Sequence, residues 1–375
     1  MAKDAQLFMA GKTYFNSREG MMNGVFKCIT AALTVGAVLG LSNNTLAAWP
    51  ERPITVVVQW KAGGGTDKNL RKIAEVIQKN TGWKINVINK AGGGGWEATR
   101  YVLGKKADGY TWLGASNFNK YLRPMGRTKT KAWEEWQYMQ AGVSFGSWSV
   151  RPDSKFKSFE DVVKYAKANP GKLTLSTSGY CNLWCELGAI VAAGAGIKVK
   201  YVGYKGGKPA TMAGLNGEVM VAGGGVHEHI EFIKSGKLVN LQQTSRADIV
   251  LPDGKVLPTV GKLVPSIKSQ LPLSGIYTPA VRRGTPKEVY EKIEKAFVQA
   301  VNSDAYEAML KKKYFKKWVL LRQDADRRAA LVEAITAKTF HNLGIKGAVS
   351  PEELGLPNPK DFEKWWPPKG YKPMM

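Results

Sequence analysis

Two glycine-rich turns, each set directly behind an apolar run, are where this sequence most openly offers chemistry. The first is Lys61-Ala62-Gly63-Gly64-Gly65-Thr66-Asp67, after Ile54-Thr55-Val56-Val57-Val58. The second is Asn89-Lys90-Ala91-Gly92-Gly93-Gly94-Gly95, after Trp83-Lys84-Ile85-Asn86-Val87-Ile88. Behind the first, Leu70, Ile73, Ala74 and Ile77 recur at helical spacing. A strand, a run of bare backbone and a helix start together make a site for an anion. Glycine lets ligand oxygens reach the backbone N–H groups, and the first helical turn leaves those donors unpaired. On neighbouring parallel strands, two such turns converge at one edge of the sheet, where ligands of open α/β folds bind. The plainer alternative for either turn is a tight strand-to-helix connection.

The turns do not match nucleotide motifs. Gly65 is followed by Thr66-Asp67 rather than Lys-Ser/Thr, and neither run reads Gly-x-Gly-x-x-Gly. Other reactive residues are sparse. His227, His229 and His341 are the three histidines, and none stands in a Ser-His-Asp arrangement, so no enzyme is expected and a hydrolase is a small residual. His227-Glu228-His229 invites a metal reading, but positions i and i+2 do not share a helical face, so no metal or cofactor is expected. Asp67 at the helix start suits the dipole as an N-terminal cap, with a ligand water or ammonium as its other use. Ser178 and Tyr180 offer hydroxyls, while Trp112, Trp148 and Trp184 either stack on an aromatic acid or fill the core.

The chain has 375 residues, with 55 Lys and Arg against 30 Asp and Glu, a formal net charge of +25. Such a field gathers small anions and raises their on-rate, and it equally suits nucleic acid or an anionic membrane. The lysines are spread along the chain, as at Lys155, Lys164, Lys198, Lys234, Lys262 and Lys287, with no nucleic-acid fold signature beside them. Near the N-terminus a short basic region at Lys27 precedes an apolar stretch, residues 28–41, and then the small residues Thr45-Leu46-Ala47-Ala48. That order predicts a signal peptide cleaved before Ala48 or Trp49, and therefore export. Residues 1–20 read as an upstream start or an extended leader. The retained pair Cys181 and Cys185 favours a disulfide in an oxidising compartment, while its i,i+4 spacing suits one poorly if both lie on one helical turn.

Strand and helix patterns alternate throughout, which predicts an α/β fold with mostly parallel sheets. The third apolar strand, Tyr110-Thr111-Trp112-Leu113-Gly114-Ala115, ends in Ser116-Asn117. The middle of the chain repeats this grammar. Leu173-Thr174-Leu175-Ser176 runs into Thr177-Ser178-Gly179-Tyr180, and Val199-Lys200-Tyr201-Val202 runs into Gly203-Tyr204-Lys205-Gly206-Gly207. Two such halves facing each other form a cleft. The tail, with Trp365-Trp366-Pro367-Pro368, reads as irregular.

Taken in order, Trp49-Pro50-Glu51-Arg52-Pro53-Ile54, the turn at residues 62–67, the run at 89–95, Asp108-Gly109-Tyr110-Thr111 and Tyr204-Lys205-Gly206-Gly207-Lys208-Pro209-Ala210 resemble the substrate-binding proteins of tripartite tricarboxylate transporters, the TctC or Bug family. The resemblance spans nearly the whole mature chain. It implies a two-lobed periplasmic-binding-protein-like (type II) fold with a ligand cleft between lobes. It also implies a monomer that captures a small organic carboxylate (a di- or tricarboxylate or an aromatic acid) and delivers it to inner-membrane permease subunits. On this reading residues 1–47 are removed, residues 48–145 plus 273–345 form lobe 1, residues 146–272 form lobe 2, and residues 346–375 are a tail. The ligand-binding positions carried over are Lys61, Ala62, Gly63, Gly64, Gly65, Thr66, Asp67, Ser116, Asn117, Ser176, Ser178, Gly179, Tyr180, Lys205, Gly206 and Gly207. The chain departs from the family pattern at residues 180–185, where a histidine is usual, and at Lys61, where small residues are usual. Charge alone supports a different class, a secreted polyanion-binding or nucleic-acid-binding protein.

Overall fold

Ile54-Thr55-Val56-Val57-Val58 is almost wholly apolar and β-branched, which suits a strand covered on both faces. In the computed structural model, which describes residues 49–179 and 182–373, it forms β1 (Ile54–Val58), with Ile54, Val57 and Val58 fully buried. β1 lies between β2 (Ile85–Asn89) and β3 (Thr111–Ser116), parallel to both, with Val56 opposite Val87 on one side and Trp112 on the other. Helices α1 (Gly65–Thr81) and α2 (Trp96–Leu103) follow β1 and β2. Both glycine turns therefore open at the same sheet edge.

The sheet continues through antiparallel strands. Across it, β4 (Trp136–Tyr138) and β5 (Gln140–Val150) run antiparallel to β10 (Ser274–Arg282), which in turn pairs with β3. β5 is buried along all of its 11 residues and changes partners halfway. Its first part, up to Phe145, pairs with β10 and β11 (Lys316–Leu320). From Gly146 on it pairs with β8 (Ala222–Gly225) and β9 (Val239–Gln243). Around this second part lie α3 (Phe159–Ala168), the parallel pair β6 (Leu173–Thr177) and β7 (Val199–Gly203), α4 (Leu183–Gly194), α5 (Gly207–Leu215) and α6 (Val226–Lys234). Trp148, Phe159, Leu175 and Val191 pack there in a core of their own.

The last third adds α7 (Lys287–Val301), α8 (Asp304–Lys313) and the long α9 (Arg322–Asn342). Asn302 and Ser303 separate α7 from α8, with Ser303 capping α8 through Tyr306 N–H, and Tyr314 closes α8 in the left-handed conformation. The tail is irregular by secondary structure but not loose. Its short helix Phe362–Trp365 buries Phe362, and Trp365 meets Trp133 edge-on with ring centroids 6.2 Å apart. Tyr371 Oη donates to Asp326 Oδ2 at 2.7 Å, and Arg283 Nη1 donates to the Lys372 carbonyl at 2.9 Å. From Arg52 onward the chain makes one compact unit, and of the unit ending at Glu51 only the last three residues are described. Among the described residues no helix is long and apolar enough to cross a membrane. The leader and signal peptide read at residues 1–47 fall outside the described residues, as do Tyr180 and Cys181 and with them the Cys181–Cys185 pairing.

Candidate ligand site

The first turn keeps its donors open. Gly64 is the residue at which α1 begins, in an extended conformation with no side chain capping it. Lys68 N–H already bonds the Gly64 carbonyl at 3.0 Å, whereas the N–H groups of Gly64, Gly65, Thr66 and Asp67 meet no acceptor among the described residues. Four adjacent donors at the positive end of a 17-residue helix are what an anion needs. Asp67 differs from the expected cap. Its carboxylate reaches back past Gly64 to accept Gly63 N–H at 2.9 Å, and also takes Arg71 Nε and Asn89 Nδ2, each at 2.9 Å. Buried and fully engaged, Asp67 holds the turn in shape and ties it to the end of β2.

Behind the turn, Gln59 knots three segments together. Its amide nitrogen stands within reach of the Gly95 carbonyl, Thr99 Oγ1 and Asn119 Oδ1, and its Oε1 accepts Ser116 N–H at 2.9 Å. Ser116 Oγ takes Trp60 Nε1–H at 2.6 Å, which places it at the root of the first turn. Asn117, Phe118 and Asn119 all adopt left-handed backbone, at φ 52, 54 and 60. Such a run is uncommon away from glycine and is held here by its partners. Asn117 Oδ1 accepts Ile276 N–H at 2.9 Å, and this positions the neighbouring Tyr277.

Tyr277 and His227 close the site opposite the turn. A Cβ on Gly65 would stand 2.5 Å from Tyr277 Oη and 2.9 Å from His227 Nε2, so only glycine fits. His227 opens α6 with Glu228 beside it, the two side chains 6% and 16% exposed and His227 Nε2 3.8 Å from Glu228 Oε1. Glu228 Oε2 accepts Gly225 N–H at 2.8 Å, and its carboxylate fills the space where a Gly207 side chain would lie. Gly207 of the expected Gly206-Gly207 turn therefore lies against Glu228, and His227 stands between Glu228 and the first turn. Burial drives the His227 and His229 pKa values down to about 3, so both rings are neutral. Burial pushes Glu228 up to about 7, resisted by Gly225 N–H, the Trp184 indole and the Lys68 ammonium.

The remaining expected residues are placed differently from one another. Lys61, Ala62 and Lys205 are exposed at the rim. Ser176 is fully buried and spent on structure, donating to the Ala210 carbonyl at 2.8 Å and accepting Gly223 N–H at 3.1 Å. Ser178 and Gly179 are partly buried, and Asn182 Nδ2 donates to the Ser178 carbonyl at 3.3 Å. Tyr180 cannot be placed, being outside the described residues. Of the three tryptophans, Trp112 bonds the Gly109 carbonyl from the core and Trp148 packs on Phe159, while Trp184 faces His227 with centroids 6.0 Å apart. Gln59, Tyr277, His227 and Glu228 are the site residues that sequence reasoning did not select. His227 and Glu228 were visible, but only as candidate metal ligands. Next to the second glycine run, Lys90, Glu97, Arg100, Tyr101 and Lys105 line a separate open hollow of about 510 Å³.

A buried ion pair ties other segments of the fold together. Lys120 Nζ sits 2.6 Å from Glu186 Oε2, with side chains 5% and 0% exposed. Tyr121 Oη donates to the same oxygen at 3.0 Å and Thr336 Oγ1 to Oε1 at 2.7 Å. Burial lowers the Lys120 pKa, and the Glu186 carboxylate works against that. The cluster joins the end of β3, α4 and α9.

Known proteins resemble this chain over most of its length. The family model described as tripartite tricarboxylate transporter family receptor matches residues 70–341. A Cupriavidus necator protein, named UPF0065 protein in gbd 5'region, is 30% identical over 322 residues, covering 83% of this chain and 95% of its own. The solved structure of the Rhodopseudomonas palustris protein Rpa4515 with adipate superposes with a TM-score of 0.69 at 23% identity, covering 79% of this chain and 98% of that one. MatC from the same organism, with bound malate, gives a TM-score of 0.63 at 19% identity over 78% of this chain and 98% of its own.

Proposed function

The chain belongs to the tripartite tricarboxylate transporter receptor family, and from that premise we propose that it is an exported receptor that captures a small organic carboxylate and hands it to inner-membrane permease subunits. It does no chemistry on its ligand. The observation that carries this reading is the row of unpaired N–H groups at residues 64–67, walled by buried Tyr277 and His227. A carboxylate seated there takes charge-assisted hydrogen bonds from oriented backbone donors without displacing any internal partner. Adipate and malate in the similar structures support the ligand class. The excess of basic residues draws such anions in.

The two-lobed fold of these proteins gives the chain its means of capture. We place the lobe boundary on β5, between Phe145 and Gly146, where the strand exchanges β10 and β11 for β8 and β9. Residues 48–145 plus 273–345 then make one lobe and residues 146–272 the other. The protein acts as a periplasmic monomer, exported by the signal peptide that ends near Ala48.

A thermal-shift screen of di-, tri- and aromatic carboxylates tests the reading. At a ligand concentration of 100 Kd, binding stabilises the folded state by about 2.7 kcal/mol, a rise of several degrees in Tm. If no carboxylate moves Tm while DNA or heparin does so at moderate salt, the protein is a polyanion binder instead.

A further inference from the structure

Glu228 is an unusual neighbour for an anion site. Its carboxylate stands one imidazole away from the first glycine turn, since His227 Nε2 lies 3.8 Å from Glu228 Oε1 and 2.9 Å from the Cβ position of Gly65. One carboxylate oxygen, Oε2, is held by Gly225 N–H, the ordinary bond of a residue three places into a helix back to the start of that helix. The other, Oε1, faces Gly207 and His227, and the Trp184 indole also donates to the carboxylate. Two ring nitrogens of this group lie buried without partners among the described residues: His229 Nε2, which shares the Gly224 face with Glu228 Oε2, and His227 Nδ1, on the Gly225 side of a ring whose Nε2 faces the carboxylate. His229 is fixed from its other side, where Ser147 and Ser149 hydroxyls each sit 3.0 Å from Nδ1. Buried polar atoms are nearly always satisfied in a working complex, so unpaired nitrogens beside a carboxylate mark a place where a ligand group belongs.

The charge at this place is the opposite of the charge at the first turn. Both histidines are neutral, and the cation that bears on Glu228 is the exposed Lys68. From the proposed carboxylate function, on which this inference rests, we propose that Glu228, flanked by His227 and His229, recognises the far end of the ligand and selects a carboxylate whose other end donates hydrogen bonds, a hydroxyl or an ammonium, over one ending in a second carboxylate. Glu228 accepts from such a donor, and it repels a diacid by like charge in a desolvated cleft. The first turn then sets the ligand's class and Glu228 its selectivity.

The test is a matched titration by isothermal calorimetry at pH 8, where Glu228 is ionised. The probes are butyrate, 4-hydroxybutyrate, 4-aminobutyrate and succinate, with the corresponding six-carbon series so that length does not decide the result. In the wild-type protein a donor-ended member binds at least about tenfold tighter than the diacid of its length, a difference of the size expected for one like-charge contact. A preference for the amine identifies an ion pair, and a preference for the alcohol identifies a neutral donor. Glu228→Gln removes or inverts that ratio. Gly207→Ala provides a second route, because its methyl overlaps the Glu228 carboxylate and displaces it. A wild-type preference for the diacid overturns the proposal, as does a donor preference that survives both substitutions. If no member binds while another carboxylate raises Tm in the thermal-shift screen, the inference falls and the carboxylate reading stands; if no carboxylate of either set binds, the reading itself falls.

Discussion

Gly65→Val abolishes ligand binding, lowering affinity by at least about a hundredfold, while the protein still folds. The backbone at Gly65 is ordinary helix, so valine meets no conformational penalty there. The obstruction is spatial: its Cβ would stand 2.5 Å from Tyr277 Oη and 2.9 Å from His227 Nε2. Neither neighbour retreats easily, since Tyr277 is buried on β10 and His227 is wedged between Trp184 and Phe315. Overpacking of this kind costs typically about 1–3 kcal/mol, which a domain of ordinary stability survives. Binding does not survive, because the turn and the His227 wall that enclose the carboxylate are forced apart. Gly64→Ala separates the two effects. Its Cβ meets nothing nearer than the Lys61 carbonyl at 3.6 Å, so a loss of affinity there reports the ligand's own need for space. Calorimetry gives the affinities and circular dichroism the fold. A folded Gly65→Val protein with normal affinity means the turn is only a turn.

Glu186→Ala destabilises the protein by about 3–5 kcal/mol, the cost of removing one partner from a buried ion pair. Lys120 would be left 5% exposed in the core, with its pKa already lowered by burial and its one opposing carboxylate gone. Tyr121 Oη and Thr336 Oγ1 lose the same acceptor, although Thr336 still bonds the Val332 carbonyl at 2.9 Å. At roughly 2–4 °C per kcal/mol for a chain of this size class, the midpoint falls by about 10 °C. Replacing both charges, as in Lys120→Met with Glu186→Leu, recovers most of the loss, because the penalty lies in the unpaired charge rather than in the absence of the pair. Differential scanning calorimetry on the two variants decides this. A Glu186→Ala midpoint within a degree of wild type shows that water reaches Lys120.

What could be read beforehand follows the range of the interactions. β1, the first turn and α1 are consecutive, so a continuous apolar run, bare glycines and helical spacing expose them directly. The mid-chain strands before Ser178 and Lys205, the first buried and the second partly exposed, were legible for the same reason. Asp67 was visible as a helix-start acid, but its real partners, Gly63 N–H and Asn89, depend on a turn that folds back on itself. Tyr277 and His227 reach Gly65 across more than 150 residues of chain, and no local pattern announces that contact. The His227-Glu228-His229 run was noticed and weighed as a metal site on helical periodicity alone. Its meaning depends on Gly207 standing opposite, which only the packing of α5 on α6 supplies. The proline-rich tail looked irregular and mostly is, yet Phe362 and Tyr371 anchor it through aromatic packing and a bond to Asp326.

The most direct test of the central claim is a crystal structure of the protein with the tightest carboxylate from the thermal-shift screen. The account predicts ligand carboxylate oxygens about 3 Å from the N–H groups of Gly64, Gly65 and Thr66, with Tyr277 and His227 against them. A ligand seated instead in the hollow lined by Lys90, Arg100 and Lys105, with the N–H groups of the first turn still unpaired, would contradict it.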